Sequence, residues 1–341
     1  MAEQMNEYFA LASRPAGTPA LEHFTVKKEE LNMPEDGQLL VKTLYVSVDP
    51  YMRGRMKDAK SYSAPYAIGE PITGGSIGRV LHSRADGFKE GDIVAGGWGW
   101  QRYGIIDSKA CRRIDPELAP ITTALGVLGM TGLTAYFGTL RIGNPQPGET
   151  LVVSGAGGAV GMIVGQIGKI KGARVIGISG SDEKNRYLKE ELGFDEVINY
   201  KTDQPLAEAL ERACPDGIDV YFDNVGGDIT DAVIPLLNRN ARIPLCGQIS
   251  LYNQEKPELG PRILPMLLTR TVLLKGFLVG DYAAEQEEGL RELGQWVREG
   301  RLKYRENIID GFDNIPEAFI GLFSGENLGK QLVRVAEDEE N

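Results

Sequence analysis

The stretch Leu151-Val152-Val153-Ser154-Gly155-Ala156-Gly157-Gly158-Ala159-Val160-Gly161 decides the fold. A mostly apolar run that favours a buried strand is followed directly by glycines, and a helical pattern over 162–171 comes next. Strand, glycine turn and helix in this order indicate a dinucleotide-binding unit, because a pyrophosphate needs free backbone N–H groups at a helix N-terminus. The glycines read GxxGxxG, with Val160 where the usual GxGxxG pattern has its third glycine.

Outward from this stretch, strand-like runs alternate with helical patterns. Strands are predicted at 150–154, 174–179, 196–199, 219–223 and 242–246, and helices at 159–171, 182–192, 207–213 and 229–238. This alternation is typical of a doubly wound parallel sheet, so the fold class is α/β with a Rossmann domain.

The two ends of the chain have a different character. The first third, with its strand at 38–48, consists of short β-rich runs between Gly and Pro turns, which predicts a compact barrel-like β domain. Near the C-terminus, apolar residues at helical spacing over 315–323 are followed by a strand at 330–335. The pattern alone does not say which domain this last segment joins.

The end of the second predicted strand indicates which dinucleotide is bound. NAD-binding proteins place an acidic side chain there for the ribose hydroxyls, whereas this chain has Ser179-Gly180-Ser181. Lys184 and Arg186 follow on a predicted helix, where they are natural partners for a ribose 2′-phosphate. The sequence therefore favours NADPH.

The amino-acid composition limits the kinds of site and partner that we expect for this chain. The 341 residues include 43 Gly but only 2 His and 3 Cys, so neither a metal site nor a disulfide framework is expected. The net charge of −11 disfavours nucleic acid and anionic membranes as partners, and the acids at the C-terminus suggest a solvated tail. Residues 1–15 show no signal-peptide pattern, so a cytoplasmic location is expected.

Six collinear blocks resemble a known family. They are Ser47-Val-Asp-Pro-Tyr-Met-Arg-Gly-Arg-Met56, Gly129-Met-Thr-Gly-Leu-Thr-Ala-Tyr-Phe-Gly138, Ser179-Gly-Ser-Asp-Glu-Lys184, Asp223-Asn-Val-Gly-Gly227, Cys246-Gly-Gln-Ile-Ser-Leu-Tyr-Asn253 and Asn327-Leu-Gly-Lys330. The chain resembles the zinc-independent medium-chain dehydrogenase/reductases, in the branch of the prostaglandin, alkenal double-bond and curcumin reductases. The zinc-dependent relatives have a metal-binding Cys near the position of Ser47 and a four-Cys lobe, and this chain has neither.

The resemblance implies a GroES-like domain over 1–122 and 306–341, a Rossmann domain over 123–305, NADPH as cofactor and a homodimer. It also implies the cofactor contacts. These are Gly155, Gly158, Ala159, Val160, Gly161, Lys184, Tyr200, Asn224, Cys246, Gly247, Ile249, Tyr252, Phe277, Leu278, Val279 and Asn327.

Two tyrosines are the candidate catalytic residues. Hydride addition to a C=C bond conjugated to a carbonyl pushes charge onto the oxygen, so the site needs a hydrogen-bond donor there. Tyr252 follows a predicted strand end and suits this role, while Tyr51 resembles the substrate-orienting tyrosine of the family. Arg53 and Arg55 are expected to be solvated or ion-paired, and Cys246 to be an inert thiol.

The predicted function is NADPH-dependent reduction of α,β-unsaturated ketones and aldehydes, with a small enone or enal as the substrate. A quinone reductase and an NADPH-binding protein without turnover remain alternatives. Residues 254–265, rich in Pro and Gly beside Tyr252, are interpreted as a mobile lid over the substrate.

Overall fold

The computed structural model describes residues 5–338 and divides the chain into two compact units. The first unit consists of Met1–Leu125, Asn307–Asn327 and Gln331–Asn341, and the second of Gly126–Glu306 with Leu328–Lys330. No helix within 5–338 is both long and apolar enough to cross a membrane. Of the acids in the C-terminal tail, Glu337 and Asp338 form ion pairs with Arg334 and Arg79, and the last three residues lie outside the described range.

The second unit is built on a six-stranded parallel sheet. Its strands are β8 (Thr150–Ser154), β9 (Arg174–Ser179), β10 (Glu196–Asn199), β11 (Ile218–Phe222), β12 (Leu237–Leu245) and β13 (Leu273–Gly276). Their order is β10-β9-β8-β11-β12-β13, and every neighbouring pair is parallel. The order reverses between β8 and β11, which confirms the doubly wound fold.

One α-helix precedes β8, and the others lie between or after the strands of this sheet. These helices are α2 (Met130–Phe137), α3 (Gly161–Ile170), α4 (Asp182–Glu190), α5 (Leu206–Ala213), α6 (Gly227–Val233), α7 (Leu264–Thr269) and α8 (Gln286–Arg298). All five residues of β8 are buried, as expected for a strand covered on both faces.

The predicted helix over 229–238 is wrong in its second half. Helix α6 ends at Val233, a 3-10 turn follows over Ile234–Leu236, and β12 begins at Leu237, five residues before the predicted strand. Pro235 has no backbone N–H and so cannot donate the i→i−4 hydrogen bond that would continue α6. Pairing of Leu237 with Ile218 of β11 then extends the strand. Strand β13 is absent from the sequence-based prediction.

Helix α3 lies close to its neighbours because Gly165 has no side chain. A Cβ at this position would lie 1.9 Å from Cζ of the buried Phe194. We expect Gly165→Ala to lower the free energy of unfolding by about 1–2 kcal/mol, since overpacking outweighs the gain in helix propensity. Urea unfolding measures the effect. Gly280→Ala, which adds a Cβ to open space, is the control, and equal midpoints for the two variants contradict the expectation.

The first unit is built mainly from antiparallel strand pairs. Its strands are β1 (Met5–Leu11), β2 (Phe24–Glu30), β3 (Gln38–Ser47), β4 (Ser76–Ser83), β5 (Ile93–Gly96), β6 (Tyr103–Asp107), β7 (Arg112–Ile114), β14 (Glu306–Asp310) and β15 (Lys330–Arg334). Strands β1 and β2 form a hairpin, and a seven-stranded sheet has the order β14-β15-β3-β4-β5-β7 with β6 paired to β3.

Two helices complete this unit, α1 (Met52–Arg55) and α9 (Ile315–Ser324). The buried face of α9 joins an aromatic cluster in which the ring of Phe319 meets Trp100 and Phe24 edge-on. The C-terminal helix therefore packs into the core formed by the N-terminal third.

Candidate functional site

The glycine stretch forms a turn between β8 and α3. Gly155 has a φ of +61°, and a Cβ at Gly161 would lie 2.3 Å from the carbonyl oxygen of Gly155. Within the described part of the chain, the N–H groups of Ala159 and Val160 donate to no acceptor. A tight turn without side chains and unpaired N–H groups at a helix N-terminus fit a pyrophosphate.

A segment distant in sequence lies against this turn. The N–H of Gly329 donates to the carbonyl oxygen of Gly157 at 2.9 Å, and Gly158 and Gly329 form a β-bridge. Asn327, which the family resemblance assigns to the cofactor, precedes this contact by two residues and is partly buried.

Two lysines lie where a 2′-phosphate is expected. The Lys184 side chain covers Gly157, since a Cβ there would lie 2.9 Å from Cδ of the lysine. Burial, followed by the charge of Lys201, lowers the pKa of Lys184. Lys201 and Tyr200 both lie beside Gly180 at the end of β9. Adjacent cations beside an uncharged strand end suit a dianionic phosphate.

Arg186, the other predicted partner of that phosphate, is exposed on α4. The structure also places Lys201 beside Lys184, and the role of Arg186 stays a prediction. Lys201 is absent from the sequence-based set because it follows β10, a strand away from Lys184. Its position directly after a predicted strand end was the available signal, since parallel strands bring their carboxyl ends to one edge.

The ends of β11 and β12 form the other half of the site. The side-chain amide of Asn224 donates to the carbonyl oxygen of Ser154 at 2.8 Å, and the N–H groups of Cys246 and Gly247 both donate to the carbonyl of Asp223. The phenol oxygen of Tyr252 accepts the N–H of Gln248 at 3.2 Å and would lie 3.3 Å from a Cβ at Gly247. These residues therefore form one cluster at the carboxyl edge of the sheet.

The remaining residues that the family resemblance assigns to the cofactor differ in how far they are exposed. The ring of Phe277 is buried and lies edge-on to the ring of Phe222. Leu278 is 43% exposed, and Val279 packs partly against the same core. Ile249 begins a 3-10 turn that leads to Tyr252.

Residues 255–262, most of the interpreted lid, are exposed and belong to no helix or strand, and α7 begins at Leu264. The mobility of this segment stays a prediction. Limited proteolysis with and without NADPH tests it, and equal cleavage rates contradict it.

Tyr51 belongs to the first unit, where it precedes α1. Burial, followed by the charge of Asp49, raises the pKa of its phenol well above the ordinary value, so the group stays protonated. The expectation that the neighbouring Arg53 is solvated is wrong, because its guanidinium is buried and donates to the carbonyl oxygens of residues 15–17. Arg55 lies over the ring of Tyr66 at 4.0 Å and donates to Thr73. Arg55 forms no ion pair among residues 5–338.

Within the described residues, no group of three or more His, Cys, Asp or Glu side chains is placed to hold a metal ion. Ser47, near the position where the zinc-dependent relatives have a metal-binding Cys, donates its hydroxyl to the carboxylate of Asp49.

Comparison with known proteins agrees with this geometry. Residues 7–114 match the family model described as the N-terminal domain of oxidoreductase, and residues 159–295 match the one described as zinc-binding dehydrogenase. The YfmJ protein of Bacillus subtilis is 56% identical over 329 residues, covering 96% of this chain and 97% of its own. The chain belongs to the medium-chain dehydrogenase/reductase family.

Other relatives place this reductase in the zinc-independent branch. The NADPH-dependent curcumin reductase of Escherichia coli is 47% identical and the NADP(+)-dependent 2-alkenal reductase of Nicotiana tabacum 42% identical, with coverage of at least 99% of both chains in each case. The crystal structure of CurA from Vibrio vulnificus in complex with NADPH superposes with a TM-score of 0.93 at 45% identity, covering 97% of this chain and 99% of that one. The cofactor of this reductase is NADPH.

Proposed function

We propose that this reductase uses NADPH to reduce the C=C bond of α,β-unsaturated ketones and aldehydes. The observation that carries the proposal is the Tyr252 phenol, which lies at the carboxyl edge of the sheet beside Asn224 and Gly247. Ligands of doubly wound sheets bind at this edge. The names of the curcumin and 2-alkenal reductases support the same substrate class.

Bound NADPH supplies a hydride, which adds to the β-carbon of the substrate. The electron pair of the C=C bond moves toward the carbonyl, and the oxygen takes the charge as an enolate. Tyr252 would donate a hydrogen bond to that oxygen, and a proton from water completes the product at the α-carbon. Tyr51, with its phenol held protonated, would orient the substrate.

The proposed cofactor contacts divide between the two halves of the sheet. The turn at 155–161 would take the pyrophosphate, and Lys184 with Tyr200 and Lys201 the 2′-phosphate end. Residues after β11, β12 and β13, together with Asn327, would take the nicotinamide end, because the second half of such a sheet binds the second nucleotide.

Loss of NADPH absorbance in the presence of a simple enone tests the proposal. We expect turnover with the enone and the corresponding enal, and much slower turnover with NADH. Faster turnover with quinones than with any enone identifies a quinone reductase. NADPH binding without turnover of enones, enals or quinones overturns the proposal and supports a non-catalytic protein.

Cys246 lies beside this site, and enones are electrophiles that alkylate thiolates. Burial, followed by the charge of Asp223, raises the pKa of the Cys246 thiol to about 12. We therefore expect the thiol to stay unmodified when the apoenzyme is incubated with an enone at pH 8, because the thiolate is the nucleophile. Peptide mass spectrometry measures this. Cys111, the other partly exposed free thiol, is the comparison, and faster labelling of Cys246 contradicts the expectation.

We also propose a homodimer that forms at strand β13. All four residues of this edge strand are exposed, with Leu273 50% and Leu274 40% exposed, and Leu268 of the preceding helix is 78% exposed. An apolar unpaired edge is a template for pairing with another chain. We expect the wild type to sediment as a dimer and Leu274→Lys as a monomer. A monomeric wild type, or a variant that stays dimeric, contradicts this interface.

A cytoplasmic location is proposed as well. The three cysteines of the chain are all free, which suits a reducing compartment. Fractionation of cells that express the protein tests this.

A further inference from the structure

Asp223 is a buried carboxylate at the end of β11, directly before Asn224. It is 1% exposed. Its Oδ1 accepts the backbone N–H groups of Val225 and Gly226 at 3.0 and 2.9 Å, and its Oδ2 accepts the side-chain amide of Gln248 at 2.8 Å. Both oxygens thus accept hydrogen bonds from N–H donors, which is the pattern of an ionised carboxylate.

Hydroxyl groups complete the set of donors. Ser154 and Tyr221 donate to Oδ1 at 3.2 and 3.0 Å, and Thr230 donates to Oδ2 at 2.8 Å. All six donors are neutral. No ion pair between described residues includes Asp223, so the network solvates the charge without cancelling it.

The charge lies within the half of the sheet that is proposed to hold the nicotinamide. The backbone carbonyl of Asp223 anchors Cys246 and Gly247, and its side chain anchors the loop after Asn224. A negative charge in a buried site acts over several ångströms, because protein interiors screen charge less than water does.

We propose that the Asp223 carboxylate favours the oxidised, cationic form of the bound cofactor over the reduced, neutral form, and so promotes hydride departure. Hydride transfer moves two electrons and one proton to the substrate carbon and leaves one positive charge behind. Asp223 is thus a positioning residue whose charge acts across the residues that it anchors. The inference depends on the cofactor contacts that we propose for Asn224 and Cys246.

Nucleotide affinity tests the inference without turnover. The ratio of the Kd for NADP+ to the Kd for NADPH is measured by calorimetry for the wild type and for Asp223→Asn. We expect the ratio to rise about tenfold, because the variant keeps the side chain's shape and loses the charge that favours the cation.

Gln248 provides a second route that leaves Asp223 in place. Gln248→Lys puts a cation next to Oδ2, and we expect the ratio to rise in the same direction. Gln248→Met and Thr230→Val each remove one neutral donor and keep the charge, so their ratios should equal that of the wild type.

The outcomes separate the inference from the function on which it depends. If Asp223→Asn and Gln248→Lys weaken both nucleotides equally, the carboxylate only holds the loop and the inference is overturned. If Asp223→Asn does not fold, an unchanged ratio in Gln248→Lys overturns it alone. Nucleotide binding that is unaffected by Asn224→Ala and Cys246→Trp shows instead that the proposed cofactor contacts are wrong.

Discussion

Tyr252→Phe is expected to lower kcat for enone reduction about 100- to 1000-fold, the usual cost of removing one donor from a developing oxyanion. The affinity for NADPH should remain nearly unchanged, because the variant keeps the ring in place. The lost oxygen accepts the N–H of Gln248, so the variant gives up that hydrogen bond as well as the proposed donor. Stopped-flow measurement of NADPH oxidation separates the hydride-transfer step from binding.

The matched control for this variant is Tyr187→Phe. Tyr187 lies on α4 in the same unit, and its ring packs against the guanidinium of Arg305. We expect this variant to keep wild-type kcat. A Tyr252→Phe enzyme that retains most of its activity means that another group stabilises the enolate.

Lys184→Met is expected to raise the KM for NADPH roughly 10- to 100-fold, since a hydrogen bond to a charged group contributes about 1.5–3 kcal/mol. The KM for NADH should change little, because NADH has no 2′-phosphate. The Lys184 side chain is partly buried against the glycine turn, so the charge acts with less screening than an exposed one. Steady-state kinetics with the two nucleotides measures the difference.

Arg186→Met is the control for that result, because Arg186 lies two residues away on the same helix and is exposed. It should leave both KM values unchanged. Equal losses for NADPH and NADH in Lys184→Met indicate a lysine that contacts another part of the cofactor. A large effect of Arg186→Met restores the assignment that the sequence alone suggests.

The local sequence pattern was sufficient to predict much of the secondary structure of the second unit. Strands β8, β9 and β10 have the predicted bounds, because each is a short apolar run bounded by turn residues. The start of β12 was beyond local pattern, since the apolar residues at 229–237 also fit a helix. Pairing with β11 determines that the strand begins at Leu237, and such pairing is a property of the assembled sheet.

The site residues likewise divide into those that local sequence predicts and those that it does not. The glycines from Gly155 to Gly161 act through the backbone, and their role can be predicted from their own sequence because only a side chain of hydrogen permits the turn. Residues that act by contacting another strand cannot be predicted in this way. Lys201 is proposed as a phosphate contact because it lies near Lys184. Arg53 is shielded from solvent because its guanidinium donates to three carbonyl oxygens that lie 36 to 38 residues earlier in the chain.

The sequence by itself determined that this protein has a doubly wound domain with a phosphate-binding turn and no acidic residue for a ribose hydroxyl. Those features depend on residues close together in the chain, where spacing fixes geometry. Only the tertiary structure decided that Asp223 has six neutral donors and that Gly329 lies against Gly157. The reason is physical: the energy of a buried charge depends on every group around it, and those groups come from separate parts of the chain.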